Sequence, residues 1–158
     1  MSEIWTQGTQ MFVSGMDAKG QLVLHEVGGV KGFTPPTPTK NEIEITTLKD
    51  KAKRFMNGLI DGGEGTITLN YLEEDEGQKF LDDMYKSDGV IDVVVGLNNG
   101  FGIVPEKTED GYELPETRGW YIFSGPVKQF AIELGEDSAV GASAIVKSSG
   151  EAKLIRKK

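Results

Sequence analysis

Cysteine is absent from this chain, and histidine occurs once, as His25. Without thiols there is no disulfide framework, thiolate zinc site, iron–sulfur cluster or cysteine nucleophile. A single imidazole rules out a multi-histidine metal centre and leaves any Ser-His-Asp arrangement dependent on one ring. Positive charge is the next scarcity: 17 Lys and Arg face 25 Asp and Glu, a net charge of −8. Proteins that grip nucleic acid set Lys and Arg against phosphates, so this balance argues against that task and predicts repulsion wherever carboxylates face a phosphate backbone. Long apolar runs are missing too. No stretch approaches the ~20 residues that a membrane-spanning helix needs, so no membrane insertion is expected. The N-terminus opens on Ser2 and Glu3 without the basic start and apolar core of a signal peptide, and the expected place of synthesis is a reducing cytosol.

At 158 residues one domain is the default, with a short N-terminal arm over about residues 1–10 and a basic tail over about 150–158. What is abundant is glycine, with 21 residues, set among short stretches of alternating character. Residues 8–13 and 22–24 flank a Gly/Asp loop at 15–20 and predict a hairpin. Residues 34–39 contain Pro35, Pro36 and Pro38, which remove backbone donors and fix φ, so the stretch is expected to be extended, solvated and outside any sheet interior. Residues 41–46 alternate polar and apolar with the period of a strand wet on one face, which directs Ile43 and Ile45 to the core. Residues 47–60 are rich in long charged side chains yet carry Leu48, Phe55, Met56, Leu59 and Ile60. The spacing of Leu48, Ala52, Phe55 and Met56 fits a short amphipathic helix, and a structured long loop fits equally.

Alternation returns at 64–71. A helix is predicted over 75–86: Asp75 is the N-cap with Gln78 three positions on, Phe80, Leu81, Met84 and Tyr85 form the apolar face, and Ser87-Asp88-Gly89 supplies the stop. Residues 90–95 read as a buried strand, 96–102 as a turn, and 105–118 as a polar, acidic excursion. Strands follow at 119–125, 126–134 and 138–147, the last two joined by a hairpin connection at 135–137. Seven or eight strands and one helix indicate a mainly β protein, a β-sandwich or barrel with a flanking α-helix and long loops.

No catalytic, cofactor or metal constellation emerges, and the protein is not expected to be an enzyme. Glu73-Glu74-Asp75-Glu76 is the densest acidic run, but negative charge at a helix start is favoured by the helix dipole, which outweighs a carboxylate-pair reading. Gly62-Gly63-Glu64-Gly65 lacks the lysine and helix of a phosphate loop. His25 beside Glu26 reads as a surface pair. Trp120-Tyr121-Phe123 fits a sugar platform or a core strand with alternate rings buried, and the core reading is preferred.

One long composite pattern remains. Ile43-Glu44-Ile45-Thr46-Thr47-Leu48 is followed by a charged loop with Arg54-Phe55 and Gly58-Leu59, then Gly63-Glu64 and a strand ending Asn70-Tyr71. Asp75-Glu76-Gly77-Gln78 and the late Gly119-Trp120 continue it. This pattern, over about residues 28–146, resembles the tail tube (major tail) proteins of long flexible-tailed, lambda-like bacteriophages. The resemblance implies a structural virion protein, assembled in the host cytoplasm, that forms stacked hexameric rings. The hollow tube is the conduit for DNA ejection, through which DNA passes without specific binding. Tail tip, tape-measure and tail terminator proteins are the other implied partners. Some relatives carry a C-terminal immunoglobulin-like domain, and none is expected here. The loop between subunits or rings would comprise Thr46, Thr47, Leu48, Arg54, Phe55, Gly58 and Leu59, with Leu48, Phe55 and Leu59 buried on assembly. Candidates for the lumen lining are Glu42, Glu44, Glu64, Thr66, Thr68 and Glu133. The basic residues 153–158 are expected to reach an acidic loop such as 106–116 of a neighbour. Two alternatives are a secretion-system tube ring and a carbohydrate- or small-ligand-binding sandwich built on Trp120 and Tyr121.

Overall fold

The computed structural model describes residues 3, 7–17, 19–109, 111–135, 139–149 and 152–158. Strand β10 (Trp120–Glu133), 14 residues long, organises them. Its first half pairs antiparallel with β7 (Val90–Gly96), from Trp120 opposite Gly96 to Pro126 opposite Val90. Its second half pairs with β11 (Gly141–Lys147), from Val127 opposite Val146 to Glu133 opposite Gly141. The sequence reading divided this segment into two strands; it is one strand that changes partner. Two residues allow the change. A side chain on Gly125 would fall 1.7 Å from the Lys147 carbonyl oxygen, so only glycine permits that approach. Pro126 sits at the last pair with β7, where a missing donor costs the ladder little.

Beyond β7 lie β1 (Gln10–Met16) and β2 (Leu22–Glu26); beyond β11 lie β6 (Glu64–Asn70) and β3 (Val30–Thr34). The path β2-β1-β7-β10-β11-β6-β3 folds over at β10 into two layers, a first sheet containing β2, β1 and β7 and a second containing β11, β6 and β3. Between them Met11, Val13, Ile91, Val93, Phe123, Ile67, Leu69 and Val146 form the main core. The helix α1 (Glu76–Ser87) closes it with Phe80, Leu81 and Met84, while Tyr85 of the predicted apolar face is exposed. Asp75 caps the helix by accepting from Gln78 N at 3.0 Å, and Asp88 ends it in the left-handed region at φ 57°. Gln78 does not reach back to the cap. Its side chain is buried, accepts from Leu72 N at 3.0 Å and donates to the Gly28 and Asn70 carbonyls at 2.8 and 2.9 Å. It thereby pins the crossing between the two layers.

The opposite face of the first sheet carries a second core of Phe12, Val94 and Trp120, covered by residues of the acidic excursion such as Tyr112 and Leu114. The excursion includes a small hairpin, β8 (Glu106–Lys107) with β9 (Tyr112–Glu113). Trp120 is fully buried and donates Nε1–H to the Pro115 carbonyl at 2.8 Å, so its ring belongs to the core and offers no sugar platform. The basic tail is held by its own chain. Strand β12 (Lys153–Ile155) pairs with Trp120–Ile122, and Lys158 reaches Glu116, a residue of the acidic excursion, at 3.5 Å. The predicted connection at 135–137 falls largely on residues 136–138, outside the described residues.

Candidate assembly surfaces

Residues 39–61 form no helix: two strands flank a structured turn over residues 45–54. Strands β4 (Thr39–Glu44) and β5 (Phe55–Asp61) pair antiparallel as a separate two-stranded ribbon, with no extensive contact to any other element. The helix reading fails because the ladder places Ile43 opposite Met56 and Glu44 opposite Phe55, a period of two instead of 3.6. The prediction that Ile43 and Ile45 face the core is overturned as well: they are 47% and 37% exposed. Alternation correctly gives them a common face, but no layer packs on it. At the tip Leu48 is fully exposed, and along the ribbon Phe55 is 52% and Leu59 83% exposed.

The ribbon is nevertheless well defined. Arg54 N donates to Thr46 Oγ1 at 2.9 Å, Thr47 N donates to Asp50 Oδ2 at 2.7 Å, and the Arg54 guanidinium lies 3.7 Å from Asp50. Thr46, Thr47 and Arg54 therefore knit the turn that presents Leu48. A bulge sets Gly58 and Leu59 against the single residue Asn41, and a side chain at 58 would press on Ile43 at 3.1 Å and the Asn41 carbonyl at 3.2 Å. All seven residues named for the inter-subunit loop thus lie in this one arm.

Its base is fixed to the body. Gly63 at φ +79° lets the chain pass the Thr37 backbone, where a side chain would sit 2.6 Å from the carbonyl oxygen. Asp61 accepts from Lys147 Nζ at 2.7 Å and from Gly63 N at 3.0 Å, and these donors, the lysine first, hold its carboxyl below the usual range. Pro36, within the proline-rich approach expected to be solvated, is buried instead, its ring set against Gly65.

The six lumen candidates separate into two places. Glu64, Thr66 and Thr68 alternate with buried Gly65, Ile67 and Leu69 on β6, and the register sets Thr68 beside Ser143 and Ala131, and Thr66 beside Ile145 and Gln129. Glu133, opposite Gly141 and hence in line with Asn70, shares that face. Nothing among the described residues covers it. Glu42 and Glu44 are elsewhere, on the arm.

One buried cation went unseen in the sequence. Arg118 is fully buried, and its guanidinium donates to the carbonyls of Leu97, Ile103 and Gly96 at 2.7, 2.6 and 2.9 Å and to Gln10 Oε1 at 2.7 Å. Burial lowers its pKa from the ordinary arginine value. An arginine closing a charged excursion carries no local signal of burial; only the tertiary cage of carbonyls reveals it.

Comparison with known proteins agrees with this architecture. Residues 2–158 match the family model described as "Phage tail tube, TTP, lambda-like". The chain is 24% identical over 155 residues to "Structural protein 3" of Pseudomonas phage PAJU2, covering 96% of this chain and 93% of that protein. Among solved structures it superposes on the SPP1 tail tube with a TM-score of 0.68 at 14% identity, covering 98% of this chain and 80% of that one. A chain in the anti-feeding prophage baseplate aligns with a TM-score of 0.60 at 8% identity, covering 100% and 99%. One in the tail of a gene transfer agent particle gives 0.56 at 9%, covering 90% and 93%. At these identities the structural matches speak for the fold.

Proposed function

The chain belongs to the lambda-like phage tail tube family, and on that premise we propose that it is the non-catalytic subunit of a tube of stacked hexameric rings through which DNA leaves the capsid. It is a structural component of the virion. In this reading the tube assembles in the host cytoplasm with tail tip, tape-measure and tail terminator proteins.

The observation that carries the reading is the arm. An ordered ribbon that exposes Ile43, Leu48, Phe55, Met56 and Leu59 to water has a surface that nothing among the described residues covers, and apolar patches of this kind mark contacts with other chains. Thr46, Thr47 and Arg54 hold the shape that an adjoining ring receives.

Ring closure has a natural route along the second sheet. Its two margins are β3 and the second half of β10, whose side facing away from β11 has lost β7 after Pro126. Pairing β3 of one subunit with β10 of the next satisfies both margins and closes a barrel, which removes edges that otherwise recruit chains without control.

The uncovered face of that sheet would then line the lumen with Glu64, Thr66, Thr68, Ser143, Gln129 and Glu133. Hydroxyls and amides dominate it. Lys128 and Lys147, the cations near its arm end, are neutralised by Glu64 and Asp61, and Lys31 at the far end shares a depression with Glu133. Such a wall offers a passing duplex little net attraction. Glu42 and Glu44 would belong to the contact between rings.

The test is negative-stain electron microscopy of the concentrated protein beside a variant in which residues 46–53 are replaced by Asn-Gly. We expect rings and hollow tubes from the wild type, and folded, unstacked protein from the variant. Strictly monomeric wild type at every concentration, or normal tubes from the variant, would overturn the reading.

A further inference from the structure

The tip of the arm and the rest of the chain carry opposite charge. Residues 46–54 hold Lys49, Lys51, Lys53 and Arg54 against Asp50, a net +3 on a chain of −8, so the remainder, the arm's own strands included, carries −11. Among the described residues none of the three lysines forms an ion pair. The apolar apex Leu48 therefore sits within a basic collar whose one carboxylate, Asp50, is paired with Arg54.

The arm joins the second sheet where β3 ends and β6 begins, since Thr34 lies opposite Thr66. The other end of that sheet, one seven-residue strand away, holds the end of β6, the end of β10 and the start of α1. At ~3.3 Å per residue the two ends are roughly 23 Å apart. Between α1 and β10 at this far end lies a cleft of about 230 Å³ whose apolar lining includes Leu72, Phe130 and Ile132 and whose rim carries Glu73 and Asp82, the latter 3.0 Å from the Lys86 ammonium group of its own helix. Leu72 and Ile132 are 44% and 48% exposed. Lys79 also lines it, but Glu76 lies 3.6 Å from its ammonium group.

We propose that this cleft receives the arm tip of a second copy, Leu48 entering against Leu72 and Ile132 while Lys49, Lys51 and Lys53 meet the acidic rim. The proposal rests on the reading of the arm as the connector between rings, and adds its receptor. A larger groove of about 330 Å³, lined by Met11, Phe33, Val95 and Tyr121, fits less well: its one charged lining residue is Lys31, which repels a basic tip. With donor and receptor at opposite ends of one sheet, each contact leaves a free arm and a free cleft. Such a heterologous contact propagates and gives the tube a direction.

Charge reversal in the full-length chain tests this. The variants are K49E/K51E/K53E in the arm, E73K/D82K at the cleft, and the two combined, each confirmed folded by circular dichroism and compared by pelleting and negative stain. Placing like charges across the contact should lower the assembled fraction about tenfold in either variant alone, and restoring opposite charges in the combined variant should recover most of it. If the arm variant loses assembly while the cleft variant keeps it, the receptor is wrong and the arm reading stands. Assembly unaffected by the arm variant counts against both. A combined variant no better than its parents refutes the pairing.

Discussion

The body and the arm of this protein spend the same kind of side chain in opposite ways. In the body, Ile67, Leu69, Val93 and Phe123 are shut between two layers, and even the glycines are fixed by close approach, as where Phe123 packs within 2.6 Å of the position a side chain on Gly65 would take. In the arm, Ile43, Phe55 and Leu59 lie on a ribbon paired only with itself. A two-stranded hairpin is at best marginal alone in water, so the body's folding supports the arm through a fixed base instead of through a shared core. Apolar surface in the body stabilises the monomer. In the arm, on the proposed reading, it is reserved for a contact made later.

If that division is right, substitutions should sort by region, and in the isolated chain the largest effects fall in the body. Trp120→Ala empties a fully buried site that unites Phe12 and Val94, and should cost about 3–5 kcal/mol, lowering the thermal midpoint by roughly 10 °C. Arg118→Met comes next. It strands the carbonyls of Leu97, Ile103 and Gly96 in a buried setting, for an expected loss of about 2–4 kcal/mol by denaturant titration. Arm-like tolerance at either position would break the contrast.

The same division governs what could be read in advance. The helix at 76–87 was legible because its signals are local: a capping aspartate, an apolar stripe and a left-handed stop. The alternation of β6 was legible for the same reason. The arm was not, because alternation in residues 41–46 says that two faces differ without saying what covers the apolar one. The charged run at 49–54 also masked a turn held by Thr46, Thr47 and Asp50. The resemblance of the whole segment did place all seven proposed contact residues in one element, yet it put Glu42 and Glu44 with the sheet-face residues, since register on a separate ribbon is a tertiary property. Arg118 and the short strand β12, Lys-Leu-Ile within a basic tail, gave no local sign of their placement.

Substitutions in the arm should reverse the pattern seen in the body. Leu48→Ser and Leu59→Ser remove side chains already in water, so the isolated chain should unfold within about 0.5 kcal/mol of wild type while tube formation collapses. The decisive measurement pairs a melting curve with pelleting on the same sample. A large loss of monomer stability would show that the arm supports the body after all, and unchanged pelleting would detach it from assembly.

The smallest effect should arise where the regions meet. Asp61 is exposed, and its Lys147 bond restrains the base of the arm without burying anything, so Asp61→Asn should barely move the thermal midpoint at neutral pH. Its pH dependence has a definite sign. The folded-state pKa is depressed below the ordinary 3.8, so the bridge contributes fully above that value and its contribution is lost as pH falls through the lower folded value. The wild-type advantage over Asp61→Asn should therefore be constant well above pH 3.8 and shrink as the pH falls below it. Amide exchange gives the sharper readout: Asp61→Asn should speed exchange at Asp61 and Gly63 while leaving β7 unchanged. Faster exchange throughout β7 would mean that the junction braces the core, and the arm could no longer be treated as an appendage on an independently stable body.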